Sequence, residues 1–95
     1  MFILSSTYTA PLEEVDALRP AHIAWLKEQH VAGHFHGWGR KTPPTGGVIF
    51  AVGDRAAIEA LAQTDPYIKA GVAQAEIIEF TPAFLAPGLE ETLSA

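Results

Sequence analysis

The 95-residue sequence has no cysteine, which excludes disulfide frameworks, thiolate metal sites and a thiol nucleophile. Basic residues are few: six Lys and Arg stand against eleven Asp and Glu, for a net charge of −5. Arg19, Lys27, Arg40, Lys41, Arg55 and Lys69 are scattered along the chain, so a nucleic-acid surface, which clusters its cations, is not expected. Long apolar runs are also missing. None approaches the ~18 residues of a membrane helix, and no basic segment precedes the short run Phe2-Ile3-Leu4, a poor match to a signal peptide. Charged residues make up only 18% of the chain, below the usual share of about a quarter. The 48% hydrophobic content argues against disorder. These shortages together predict one small cytoplasmic domain with a single core, part of whose surface is covered by something else.

Residues 1–82 read as that domain and residues 83–95 as a tail with a short helix at Leu89 to Leu93. Phe2 to Thr9 has the β-branched and aromatic content of a strand, ended by Pro11. A helix is expected from about Val15 to Ala32, closed by Gly33, with its regular part starting near Arg19 because Pro20 is tolerated only near a helix start. At 100° per residue, Leu18, Ala21, His22, Trp25, Leu26 and Ala32 share one arc. His34 to Arg40 and Gly47 to Val52 read as strands around the turn Thr42–Gly46. Asp54 caps a helix to about Thr64 whose apolar face is Ile58, Leu61 and Ala62. Asp65 caps a second short helix with Pro66 at its first position and Gly71 at its end. Gln74 to Phe80 is the fourth strand.

The order β-α-β-β-α-β predicts an α+β fold, a four-stranded antiparallel sheet with two helices on one face. Val48, Phe50 and Val52 alternate with Ile49 and Ala51, and Phe2, Leu4 and Tyr8 oppose Ile3. The inner strands are therefore largely apolar on both faces, and two helices cover one. A bare apolar sheet face is rare in soluble monomers, so a second copy is expected to pack sheet to sheet as a homodimer.

Few residues can carry chemistry. His22 lies in the middle of the apolar arc, where an imidazole needs a hydrogen-bond partner; it is either a satisfied core histidine or a catalytic group. Asp65 is the natural partner, and the simplest role of an Asp before Pro is to cap the helix. Both roles are compatible, because one carboxylate offers several lone pairs. A His N–H bonded to a carboxylate has a fixed tautomer and a more basic second nitrogen, as a general base requires. His34 and His36 are two apart on a strand, which places them on one face with Trp38 and Arg40. They could chelate a metal, line a solvated edge or sit at a dimer interface, and no acidic residue lies in the segment to complete a metal set.

Four segments resemble one family: Arg19-Pro20-Ala21-His22-Ile23-Ala24-Trp25-Leu26, Gly46-Gly47-Val48-Ile49, Thr64-Asp65-Pro66-Tyr67 and Ala70-Gly71-Val72. Together they look like the YciI-like, or YCII-related, proteins, up to about Phe80. That resemblance implies a ferredoxin-like fold paired as a dimeric α+β barrel, with a His/Asp active-site pair that falls here on His22 and Asp65. Relatives include dehydrochlorinases of chlorinated aromatics, and the wider superfamily includes muconolactone isomerases. The segment Phe35-His36-Gly37-Trp38-Gly39-Arg40 departs from the family, which more often has small or aliphatic residues there.

The expected function is a small enzyme without a cofactor. In it His22 acts as general acid and base, Asp65 orients it, and Tyr67, Trp38 and His36 line the pocket for a small molecule. A non-catalytic ligand-binding module is the alternative, and haem or metal binding through His34 and His36 a third reading.

Overall fold

The computed structural model describes residues 1–93. The chain runs β1 (Phe2–Tyr8), α1 (Leu12–Ala17), α2 (Arg19–Val31), β2 (Phe35–Arg40), β3 (Gly47–Ala51), α3 (Arg55–Ala62), α4 (Pro66–Lys69), β4 (Ala73–Glu79) and α5 (Leu89–Leu93). The four strands form one antiparallel sheet in the order β2-β3-β1-β4. Each half of the chain thus makes a split βαβ unit, with β3 between β1 and β2 and β1 between β3 and β4.

Register sorts the side chains by face. Phe2 opposite Ala51 and Leu4 opposite Ile49 lie on the helix side. There they join Trp25, Leu26, Phe35, Ile58 and Ala62 in the main core. A smaller cluster of Val15, Tyr67, Val72 and Ala73 closes the end formed by α1 and α4. The other face carries Ile3 opposite Phe50 and Ile78, with Ser5 opposite Val48 and Glu76. Phe50 and Ile78 are exposed there. That face is mixed rather than uniformly apolar, and no helix among the described residues buries its Phe50 or Ile78.

The strands lie within about one residue of their expected bounds. The regular helix begins at Arg19 as expected and runs to Val31, but the residues before it, instead of loosely extending it, form a separate helix α1 that breaks from α2 at Leu18 (φ −95°, ψ −3°). Proline accounts for the break. Pro20 has no N–H to donate, and its ring would meet the carbonyl of Asp16 if one helix ran through. The Leu18 N–H turns back to Val15 O instead (3.0 Å), and α2 starts afresh with His22 N–H bonded to Leu18 O (3.0 Å). The buried arc of α2 is narrower than expected: Trp25 and Leu26 are buried, whereas Ala21 and Ala32 are exposed.

The caps formed as anticipated. Asp54 accepts from Ala57 N–H at 2.9 Å and starts α3. Gly33 and Gly71, at φ of +91° and +74°, end α2 and α4 in a conformation that L side chains rarely adopt. Gly46 matters for space instead. A Cβ there would lie 1.8 Å from the Ser6 carbonyl oxygen, because the β2–β3 turn presses against β1, where Thr45 O accepts from Tyr8 N–H (2.9 Å). The expected tail helix is α5; residues 94 and 95 of that tail lie outside the described residues.

Candidate active site

His22 stands in the first turns of α2, and Asp65 is the residue before α4. The folding of each half brings them together across 43 positions of sequence. Asp65 has extended backbone angles (φ −59°, ψ 124°), and its Oδ1 accepts from Tyr67 N–H at 2.9 Å, satisfying an amide at the helix start. The same oxygen lies 2.9 Å from His22 Nδ1. A carboxylate only accepts, so the proton of the neutral imidazole sits on Nδ1 and the lone pair on Nε2. Asp65 is the buried charged residue of the described chain, at 6% exposure, and these two donors offset what burial without partners would cost.

Aromatic contacts fix the imidazole plane. The Tyr67 ring stacks on it, with centroids 3.9 Å apart and planes 11° from parallel. Trp25, one turn along α2, lies 5.7 Å away and donates its Nε1–H to Thr64 Oγ1 at 2.9 Å. The Thr64 hydroxyl in turn donates to Leu61 O at 2.7 Å. The loop that carries Asp65 is thereby tied to the helix that carries His22.

His22 Nε2 has no protein partner among the described residues. His22 lines a cavity of about 190 Å³ between α2 and the sheet, together with Asp65, Tyr67 and Trp38. That volume exceeds the roughly 150 Å³ of an apolar cavity able to admit benzene. At one end Arg40 donates through Nε to the Tyr8 hydroxyl (3.1 Å) and through its terminal nitrogen to Asp16 Oδ1. The bond to Asp16 holds the guanidinium pKa above its ordinary value. Burial, with a smaller contribution from Tyr8, pushes the Tyr67 hydroxyl up, while Arg40 and Arg19 pull it down more weakly.

The structure therefore brings His22, Asp65, Tyr67 and Trp38 to one cavity, but His36 lies outside its lining. The pairing of β2 with β3 shifts between Phe35 and Gly37, and such a bulge interrupts the alternation that would have placed His36 beside Trp38. His36 Nε2–H donates to Gly33 O (3.1 Å) instead, and the neighbouring His30 donates from Nδ1 to Phe35 O (2.8 Å). Among the described residues no three His, Asp or Glu side chains converge as a metal site, so His34 and His36 gain no third ligand. Tyr8, Arg19, Lys27 and Arg40 join the lining without having been expected there. Period-two alternation from Trp38 points to Arg40, four-residue spacing along α2 joins Arg19 to Lys27, and alternation along β1 puts Tyr8 on the face of Leu4, which also lines the cavity.

Among solved structures, the chain is similar to 5-chloro-2-hydroxyhydroquinone dehydrochlorinase (TftG) from Burkholderia phenoliruptrix, determined in complex with 2,5-dihydroxybenzoquinone. The TM-score is 0.69 over 85% of this chain and 94% of that one, at 17% identity, which establishes a shared fold. A comparison with curated proteins finds no match. No helix among the described residues is long and apolar enough to cross a membrane. The family model of the YCII-related domain matches residues 1–81, a span that includes both members of the His22–Asp65 pair, and the chain belongs to that family.

Proposed function

We propose that the chain is an enzyme in which His22 moves a proton during an elimination or isomerisation of a small, ring-shaped molecule. One observation carries this reading: Nδ1 of His22 is anchored on Asp65 while Nε2 is left without a protein partner, in a side chain that lines a cavity of ring size. Nε2 accepts a proton from the substrate, and the electron pair left behind forms a new double bond. In an elimination that pair expels the leaving group as an anion. In an isomerisation the existing double bond shifts, and Nε2 returns the proton to another carbon. Asp65 stabilises the imidazolium formed in between without taking the proton. Tyr67 holds the ring plane, and Trp38 forms an apolar wall. The dehydrochlorinase with a bound dihydroxyquinone supports a small cyclic substrate by likeness of fold. In the same reading the chain works as a homodimer through the uncovered sheet face of Ile3, Val48, Phe50 and Ile78.

Chloride release from chlorinated hydroxyhydroquinones, followed for the wild type and His22→Asn, tests the proposal. A positioned base contributes about 10²–10⁴-fold, so release is expected to fall by that factor with the thermal melting curve little changed. A variant that loses stability but keeps its rate makes His22 a core histidine. Ligand binding without turnover in the wild type makes the chain a binding module.

A further inference from the structure

The cavity beside His22 is lined by Arg19, Lys27 and Arg40, half of the six Lys and Arg residues of a chain whose net charge is −5. Asp65 is the single carboxylate among the described lining residues, and its Oδ1 is taken by His22 and the Tyr67 amide. Arg40 is committed to Asp16 and Tyr8. The side chains of Arg19 and Lys27 make no ion pair or hydrogen bond among the described residues.

Their spacing explains how they reach the same cavity. Arg19, Ile23 and Lys27 follow each other at four-residue intervals, so they form one ridge of α2. The adjacent ridge is Leu18, His22 and Leu26. A row bearing two uncompensated cations thus runs alongside the row bearing the proton-transfer group. Both cations are exposed, where water screens them at little cost to the fold. A ligand that fills the cavity displaces that water and strengthens their field.

We infer that the cavity selects an organic anion, a carboxylate or an ionised acidic enol such as a hydroxyquinone, whose charged oxygens are held by Arg19 and Lys27. This rests on the acid–base reading of the same site and adds its substrate class. The chemistry is consistent: removing a proton from such a molecule builds more negative charge on its oxygens, and cations already in place stabilise that charge without reorganising.

Binding tests the inference without turnover. The probes are 2,5-dihydroxybenzoquinone, ionised at neutral pH as a vinylogous carboxylic acid, and the uncharged 2,5-dimethoxybenzoquinone, titrated calorimetrically into the wild type and the double variant Arg19→Gln/Lys27→Gln. The wild type is expected to bind the anion more tightly. The double variant should weaken anion binding about tenfold or more and leave the neutral probe unaffected. Raising salt from about 0.05 M to about 0.5 M should erode anion binding by the wild type far more than by the variant. Equal affinity for the two probes, an unchanged affinity and salt response in the variant, or no anion binding by the wild type overturns it. These results are independent of the His22→Asn rate, so either reading can fail while the other stands.

Discussion

One oxygen atom joins folding to the proposed chemistry. Asp65 Oδ1 caps α4 through Tyr67 N–H and anchors His22 Nδ1. Asp65→Ala therefore removes a cap and strands a partly buried imidazole, and chemical denaturation should show a loss of about 1–3 kcal/mol. Asp65→Asn keeps an acceptor for the cap but cannot offset an imidazolium. Its stability should stay near the wild type while turnover falls. Tyr67 gives a pH prediction. Its hydroxyl is raised in the folded state, chiefly by burial, so folded protein holds the proton where the unfolded chain releases it. That contribution is complete below about pH 10, the unfolded value, and is lost as pH rises through the folded value. A denaturation series above pH 9 should show a smaller decline in Tyr67→Phe than in the wild type. The His22–Asp65 pair was legible in sequence because each residue carries a local signature, an imidazole in an apolar arc and an Asp before Pro. The bond from Arg40 to Tyr8 spans 32 positions and that to Asp16 spans 24; no local pattern encodes such a meeting.

At the scale of elements, capping residues and prolines were the reliable signals, and periodicity was weaker. Asp54 starts α3 and Asp65 starts α4 where local chemistry requires. Replacing Asp54 with Ala should cost about 1 kcal/mol in a thermal or denaturant melt. Pro20 sets the start of the regular helix at Arg19, where α2 begins, whereas periodicity gave no sign that the residues before it form a separate helix. Likewise His36 was misassigned to the cavity because alternation assumes a regular strand, and β2 bulges there. Close packing sets the remaining prediction. Ile58 is fully buried in the main core, so Ile58→Ala should lose about 2–5 kcal/mol. Gly46→Ala must push the turn away from the Ser6 carbonyl, and should lower the melting temperature even though it deletes no contact.

For the whole molecule, the uncovered sheet face is the dominant unsatisfied feature. Alternation identified the Ile3, Val48 and Phe50 side of the sheet; the polar members Ser5, Glu76 and Gln74 interrupt it. The proposed homodimer predicts twice the 10.2 kDa chain mass in light scattering at micromolar concentration. Phe50→Glu, with a charge at the centre of that face, should return the mass to that of one chain with the sheet still folded by circular dichroism. A single-chain mass for the wild type removes the homodimer from the proposal.

The doubly used oxygen of Asp65 also constrains how such a chain can decay. A lineage that no longer needs the proposed reaction can replace His22 and keep its fold, because the cap on α4 survives. It cannot as readily replace Asp65, since that change loosens a helix start as well. Inactive descendants should therefore be recognised by an Asp-Pro-Tyr that persists at the second site while the histidine of the first has drifted to another residue.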